Sequence, residues 1–334
     1  MLLRPSGHRF EVQAGESLLD AALRAGLAPA YRCHDGRCGE CRARLVSGRL
    51  ADGPPGDFTF PARDKAAGWF LLCQARAETD LEIEAREAAG VEDMPLQAVD
   101  TRVVRLQPLA DDVLDVHLRT PRSQALRFLP GQYVQLDLSG LPPRAKSIAS
   151  CPCNGMVLQF HVRRVAGDPF SERVFDGLRL RDPVRVRGPF GRFTLDEASG
   201  RPSLFLAFET GFAPIKSLIE HAISREWTQP MRLYWVTRRP GGHYLGNYCR
   251  SWEDALDDFR YRPLVCAGDG AADAGAAESL LCAVRRLVAD CPDLSGWDLY
   301  ASGPPALLAP ARALLLAAGL PMRRLFVDEL ERFG

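Results

Sequence analysis

Three cysteines lie within nine residues of an arginine-rich loop, "YRCHDGRCGECRARLVSGRL" at 31–50, spaced Cys33-x4-Cys38-x2-Cys41. A fourth, Cys73, stands alone downstream in "LLCQA". A chain that brings three thiols so close has to bend sharply, and Gly36 and Gly39 fall where a side chain would obstruct the bend. Such a polar loop makes a poor apolar core. The pattern therefore predicts a metal centre with Cys33, Cys38, Cys41 and Cys73 as its ligands.

The spacing narrows the metal. Zinc sites usually pair their cysteines in two short C-x2-C clips, whereas C-x4-C-x2-C with a distant fourth cysteine is the plant-type 2Fe-2S pattern. The other six cysteines, Cys151, Cys153, Cys249, Cys266, Cys282 and Cys291, show no ligand spacing and are read as buried or idle thiols. The opening "MLLRPSGHRFEV" lacks the apolar stretch of an export signal, so a reducing cytoplasm with few disulfides is expected. No apolar run approaches the roughly 18 residues of a membrane span, since "LLAPARALLLAAGLP" is broken by Pro310 and Arg312. Lys and Arg total 42 against 42 Asp and Glu, a balance that argues against nucleic acid or a membrane surface as partner.

At 334 residues the chain exceeds one ordinary core, and its patterns divide it into 1–90, 98–197 and 201–334. The first part opens with a hairpin around Pro5, a helix in "SLLDAALRAG" that stops at Gly26, and a closing strand in "DLEIEA". In the second, "DDVLDVHLRT", "GQYVQLDL", "MVLQFHVRRV" and "DPVRVRGPFGRFTL" alternate apolar and polar residues between turns, which suggests a small barrel. In the third, the strands "SLFLAF", "MRLYWV", "PLVCAG" and "WDLYASG" alternate with helical stretches, the signature of a doubly wound parallel sheet. "EAAGVEDMP" at 87–95 is the expected linker.

Residues 1–90 resemble a plant-type ferredoxin domain. The rest of the chain resembles the flavin and nicotinamide domains of ferredoxin-NADP reductase relatives, anchored by "PGQYV" at 130–134, "GPFGRF" at 188–193 and "TGFAPIKSLIEHA" at 210–222. The ferredoxin-first order is similar to that of bacterial oxygenase reductase components and of CDP-6-deoxy-glucoseen reductases. The resemblance implies a β-grasp ferredoxin domain, a six-stranded antiparallel FAD-binding barrel and a nicotinamide-binding α/β domain. It also implies electrons passing from NADH or NADPH through FAD to the 2Fe-2S cluster, then to a protein acceptor such as an oxygenase or dehydratase component.

The same resemblance implies the site residues. In "RAKS", Arg144 would grip the FAD pyrophosphate and Ser147 would sit near the flavin N5. His161 lies on a strand that resembles an FAD-lining one, and Gly167 and Ser171 of "GDPFS" belong to a second flavin motif. Thr210, Gly211 and Pro214 would shape the dinucleotide loop, with Ser302, Gly303 and Pro304 of "SGPP" near the nicotinamide. Ser147 and Ser302 are the expected catalytic residues.

The chain departs from the family pattern at these motifs. Lys146 replaces a stacking tyrosine, a loss of about 0.5–1.5 kcal/mol. Asp168 and Glu209 replace glycines, Phe208 another, and Ser302 a cysteine. A carboxylate about 4 Å from a phosphate costs about 1 kcal/mol in water and about 4 at an effective dielectric of 20, so Glu209 is expected to repel the dinucleotide. Two readings remain: an NAD(P)H-dependent iron–sulfur flavoprotein reductase, or a non-enzymatic 2Fe-2S relay or assembly subunit whose nicotinamide site has lapsed. Arg238 and Arg239, after the second strand of the third part, could accept a 2′-phosphate or face water, so the residues leave NADH and NADPH undistinguished.

Overall fold

The computed structural model describes residues 1–51, 57–154, 156–266 and 272–328, and among them the strands form three main sheets. In the first, Leu2–Arg4 runs parallel to Glu82–Ala85, which pairs antiparallel with Arg42–Ser47, itself beside Trp69–Leu71. Helix Leu18–Arg24 crosses this sheet. Ser17 starts it by accepting the Asp20 N–H at 3.1 Å, and Leu18, Leu19, Ala21, Ala22 and Leu23 are buried in one core with Leu72 and Ile83. The arrangement is the β-grasp fold expected for the cysteine-bearing part.

The second sheet is a near-closed antiparallel barrel of six strands in the order Arg144–Ser147, Tyr133–Asp137, Pro183–Phe190, Gln97–Ala110, Val113–Arg119, Val157–Arg163. Alternation fills it: Val99, Val103, Val184, Val186, Leu158 and Phe160 point inward. The open seam is drawn together by the Ala149 N–H donating to the Gln159 carbonyl at 2.8 Å.

The third sheet is wholly parallel, with spatial order Phe259–Val265, Met231–Thr237, Ser203–Phe208, Asp298–Ser302, Leu325–Val327. Helix Phe212–Ser224 and helix Ala272–Asp290 lie among its connections. Every residue of Ser203–Phe208 is buried, as a central strand covered on both faces requires. The third expected strand begins earlier than "PLVCAG", at Phe259, and residues 267 and 268 of that stretch lie outside the described residues. Helix Gly246–Ala255 and strand Leu325–Val327 are additions to the sequence reading. One expectation is overturned: Cys151 and Cys153 are joined in a disulfide, whereas Cys249 and Cys291 are buried thiols as expected.

Barrel and parallel sheet meet along one polar seam. Lys216, on helix Phe212–Ser224 and only 6% exposed in its side chain, donates to the Ala149 carbonyl and Gln159 Oε1, both at 3.1 Å, and pairs with Glu220 at 2.7 Å. Beside it, Ser217 Oγ donates to the Ser150 carbonyl at 2.8 Å. Replacing Lys216 by methionine strands the buried Ala149 carbonyl and takes the cation from the part-buried Glu220 carboxylate, so Lys216→Met should lower unfolding free energy by about 3 kcal/mol. Adding Glu220→Gln should restore part of that loss. Chemical denaturation of wild type, single and double variants measures both, and an unchanged single variant would show that the seam carries no stability.

Candidate functional site

The four expected ligands converge in two pairs. Cys33 Sγ lies 3.1 Å from Cys38 Sγ, and Cys41 Sγ lies 3.3 Å from Cys73 Sγ. Metal–sulfur bonds near 2.3 Å at a tetrahedral angle put two ligands of one ion about 3.7 Å apart, so each pair suits one iron. Two pairs of two thiols are the arrangement that a two-iron cluster needs. Backbone N–H groups point at the sulfurs, Cys38 N to Cys33 Sγ at 3.4 Å and Glu40 N to Cys38 Sγ at 3.5 Å. Gly39, at φ +73°, could not carry a Cβ without meeting the Phe58 ring at 2.3 Å. His34 is buried against Asp20, 3.4 Å away, and stays outside the sulfur set.

The cluster loop is fastened to the barrel on both sides of Cys33. The Ala125 N–H donates to the Arg32 carbonyl and the His34 N–H to the Arg122 carbonyl, each at 2.8 Å. Cys33, Cys41 and Cys73 are buried, and Cys38 is part-exposed.

A second site is a cavity of about 580 Å³ between barrel and parallel sheet. From the barrel come Arg144, Lys146, Ser147 and His161; from the strand ends opposite come Thr210, Gly211, Ser302, Gly303 and Pro304. It lies where the first and fourth strands of the parallel sheet diverge, the switch point at which such sheets bind ligands. Gly211 stands so close to the Ser302 carbonyl that a Cβ would approach it to 2.4 Å. Gly167, Ser171 and Pro214 are not on the wall. Ser171 is occupied locally, its Oγ bonding to Val165 and Asp168, and Val165 and Asp168 face the cavity instead.

Sequence reasoning passed over Asp328. This residue, 5% exposed, accepts from Ser302 Oγ at 3.1 Å and from Ser147 Oγ at 3.3 Å. The two serines expected to be catalytic are thus brought together by a carboxylate from the end of the last strand. An acid just beyond a parallel strand was the available signal, but that strand is only three residues long.

Of the departures, Lys146, Asp168 and Glu209 each have a partner here, and Ser302 has Asp328. Lys146 Nζ lies 5.5 Å from the Phe170 ring centroid. Asp168 Oδ1 accepts from Arg144 Nη2 at 2.7 Å and Oδ2 from the Ser171 N–H at 3.0 Å. Burial opposes the charge, yet Ser171 and then Arg144 outweigh it, and the carboxyl stays below its ordinary range. Glu209 is not a bare carboxylate: Oε2 accepts from Arg163 Nη2 at 2.6 Å and Oε1 from the Arg238 N–H at 2.9 Å. The expected repulsion of a dinucleotide by an isolated charge is therefore corrected. Asp112 binds Arg163 at 2.9 Å and also Arg239, so Arg238 and Arg239 are both engaged by carboxylates.

His161 is held by the Tyr244 hydroxyl, 3.0 Å from Nδ1, while Nε2 has no protein partner among the described residues. The ring lines the cavity, and its unpartnered Nε2 is enclosed. Burial, reinforced by Lys216 and His117 against Asp115, depresses its pKa to about 3.

A β-grasp domain bearing four paired thiols, joined to a barrel and a parallel sheet that share a polar cavity, defines an iron–sulfur flavoprotein reductase. Residues 2–78 match the family model described as a 2Fe-2S iron-sulfur cluster binding domain, and residues 100–195 that of an oxidoreductase FAD-binding domain. The chain is 32% identical over 327 residues to a CDP-6-deoxy-L-threo-D-glycero-4-hexulose-3-dehydrase reductase of Yersinia pestis, covering 98% of this chain and 96% of that one. It is likewise 32% identical over 308 residues to an aromatic O-demethylase reductase subunit of an Amycolatopsis species, covering 90% of each. Among solved structures it is similar to an Amycolatopsis cytochrome P450 reductase, with TM-score 0.62, 28% identity and 98% of both chains covered. The chain belongs to the family of reductases that join a 2Fe-2S ferredoxin domain to an FAD-binding oxidoreductase domain.

The depressed His161 pKa has a stability consequence. Unfolded, the imidazole titrates near 6.5; folded, near 3. The unfolded state binds the proton first, so stability that is complete above about pH 6.5 is lost as pH falls toward 3, by up to about 1.4 kcal/mol per unit. His161→Gln should flatten the pH dependence of urea unfolding between about pH 6.5 and 5 relative to wild type. Equal slopes would show that the imidazole is not desolvated.

Proposed function

We propose that the chain is the reductase component of a cytoplasmic electron-transfer pair, taking electrons from NADH or NADPH and delivering them singly to a partner protein of the oxygenase or dehydratase kind. Three working domains, 1–90, 98–197 and 201–334, divide the task; residues 329–334 of the last lie outside the described residues. Cys33, Cys38, Cys41 and Cys73 hold the 2Fe-2S cluster, and Arg144, Ser147 and His161 line the flavin side of the cavity. When bound, FAD takes electrons in pairs and releases them one at a time to a cluster that carries one.

The observation that carries this reading is the pair of backbone hydrogen bonds on either side of Cys33. They press a cluster ligand against the flavin-binding barrel, while the part-exposed Cys38 turns toward an acceptor. The chain's own residues do the rest by position. Gly211 and the Phe212–Ser224 helix directly after it bring N–H groups to the cavity for a pyrophosphate. Ser147 and Ser302 hold their hydroxyl protons toward Asp328 Oδ2, which fixes both oxygens at the cavity, where they would position bound FAD and nicotinamide. His161 stays neutral at working pH, so its ring lines the cavity without adding charge. The intact sets of paired thiols and cavity donors favour the enzyme over a relay subunit with a lapsed site. Among the described residues no helix is long and apolar enough to cross a membrane.

Cys73→Ser should abolish the rhombic paramagnetic signal of the reduced cluster and leave the flavin absorption bands in place. NADH should still bleach those bands in stopped-flow, while electron delivery to cytochrome c falls by on the order of tenfold, about 1.4 kcal/mol of barrier. A variant that retains both the signal and full cytochrome c reduction would refute the ligand set.

A further inference from the structure

Two of the non-glycine residues in the cofactor motifs, Asp168 and Glu209, are carboxylates, and each rests on an arginine facing the same cavity. Asp168 meets Arg144 with one oxygen and a backbone N–H with the other; Glu209 meets Arg163 with one oxygen and the Arg238 N–H with the other. A guanidinium plus a main-chain N–H is the donor set that holds a phosphate. Glu209 does this from the left-handed region, at φ +52°, with a side chain only 9% exposed. The strained conformation is kept where a glycine would relieve it.

We propose that Asp168 and Glu209 are built-in stand-ins for the cofactor phosphates: Asp168 occupies Arg144 in place of the FAD pyrophosphate, and Glu209 occupies Arg163 in place of the dinucleotide pyrophosphate. Each carboxylate gives up its arginine when the phosphate arrives, and so each sets the affinity of one cofactor alone. The inference rests on the proposed assignment of this cavity to FAD and NAD(P)H. A paired carboxylate leaves its cradle near neutrality, whereas an isolated one would repel at long range. Removing Asp168 leaves Arg144 without its carboxylate, and removing Glu209 leaves Arg163 on Asp112 alone and frees the Arg238 guanidinium, so each cradle gains one unit of positive charge and binding should become more sensitive to salt. Arg163 keeps its orientation without Glu209 because Asp112 holds it at 2.9 Å.

The test uses the full chain, Asp168→Asn and Glu209→Gln. Asparagine still caps the short helix that Asp168 starts, and glutamine can still accept the Arg238 N–H, so charge is removed with little else. Calorimetry on flavin-stripped protein reads FAD, and calorimetry on the FAD-loaded protein reads ADP-ribose, which carries the pyrophosphate and is redox-inert. Asp168→Asn should tighten FAD by about fivefold or more and leave ADP-ribose unchanged; Glu209→Gln should do the reverse. Both gains should shrink as salt rises. Glu209→Gly, which also relieves the left-handed backbone, should match Glu209→Gln for ADP-ribose and guards against a folding defect. A variant that binds its own ligand no better, or shifts both ligands alike, overturns the inference while leaving the cavity's assignment standing. If wild type and variants bind neither FAD nor ADP-ribose, the assignment itself fails, and the inference with it.

Discussion

The buried ammonium of Lys216 is the interaction on which the rest depends. Apolar packing of Phe193 against Tyr300 joins the barrel part to the core of the parallel sheet, but it is not directional in the way that a hydrogen-bonded seam is. Lys216, Ser217 and Glu220 supply the direction by bonding to consecutive backbone groups at Ala149, Ser150 and Cys151. These groups lie just past Ser147 on the flavin strand, and the helix begins directly after Gly211 on the dinucleotide loop. This polar seam, together with the Ser147–Asp328 and Arg163–Glu209 contacts, holds the two halves of the cavity against each other. Its donors are fully committed, which is the condition for a polar group to rigidify an interior instead of loosening it.

The order of the fold is legible in the sequence because periodicity changes along it. Alternation at 157–163 and the all-apolar run at 204–208 could each satisfy only one kind of sheet. The cysteine set is legible for a different reason: its spacing is local, so the loop's geometry is written in adjacent residues. Helix Gly246–Ala255 is hidden because only Gly246, Cys249 and Trp252 are buried, too few to mark a face. Strand Phe259–Val265 begins with buried Phe259 and Tyr261 alternating with exposed Arg260 and Arg262, an edge pattern that reads as polar chain. The Cys151–Cys153 bond is hidden too, since a spacing of two resembles no ligand set and pairing depends on the turn between them.

The cavity is less legible than the fold because its meaning lies in pairs of residues far apart in sequence. Asp328 matters only once Ser147, 181 positions earlier, reaches it. Charge counting fails for the same reason. Glu209 read alone is an obstacle to phosphate, but with Arg163 and the Arg238 N–H it is one half of a neutral cradle. The sign of its effect is set by partners that contribute nothing to its local sequence.

Burial gives the electron path a direction. In the cluster loop Cys33, Cys41 and Cys73 are enclosed, and Cys38, whose sulfur lies 3.1 Å from that of Cys33, is the part-exposed ligand. In the cavity the serines and Asp328 face inward at the seam between the other two sheets. With three ligands enclosed, the part-exposed Cys38 is the edge of the cysteine set open to a protein acceptor. A reductase that reversed this burial would present its flavin to the acceptor and leave the cluster without a role. The fastening of Arg32 and His34 to the barrel is what makes the ferredoxin domain an outlet instead of an appendage.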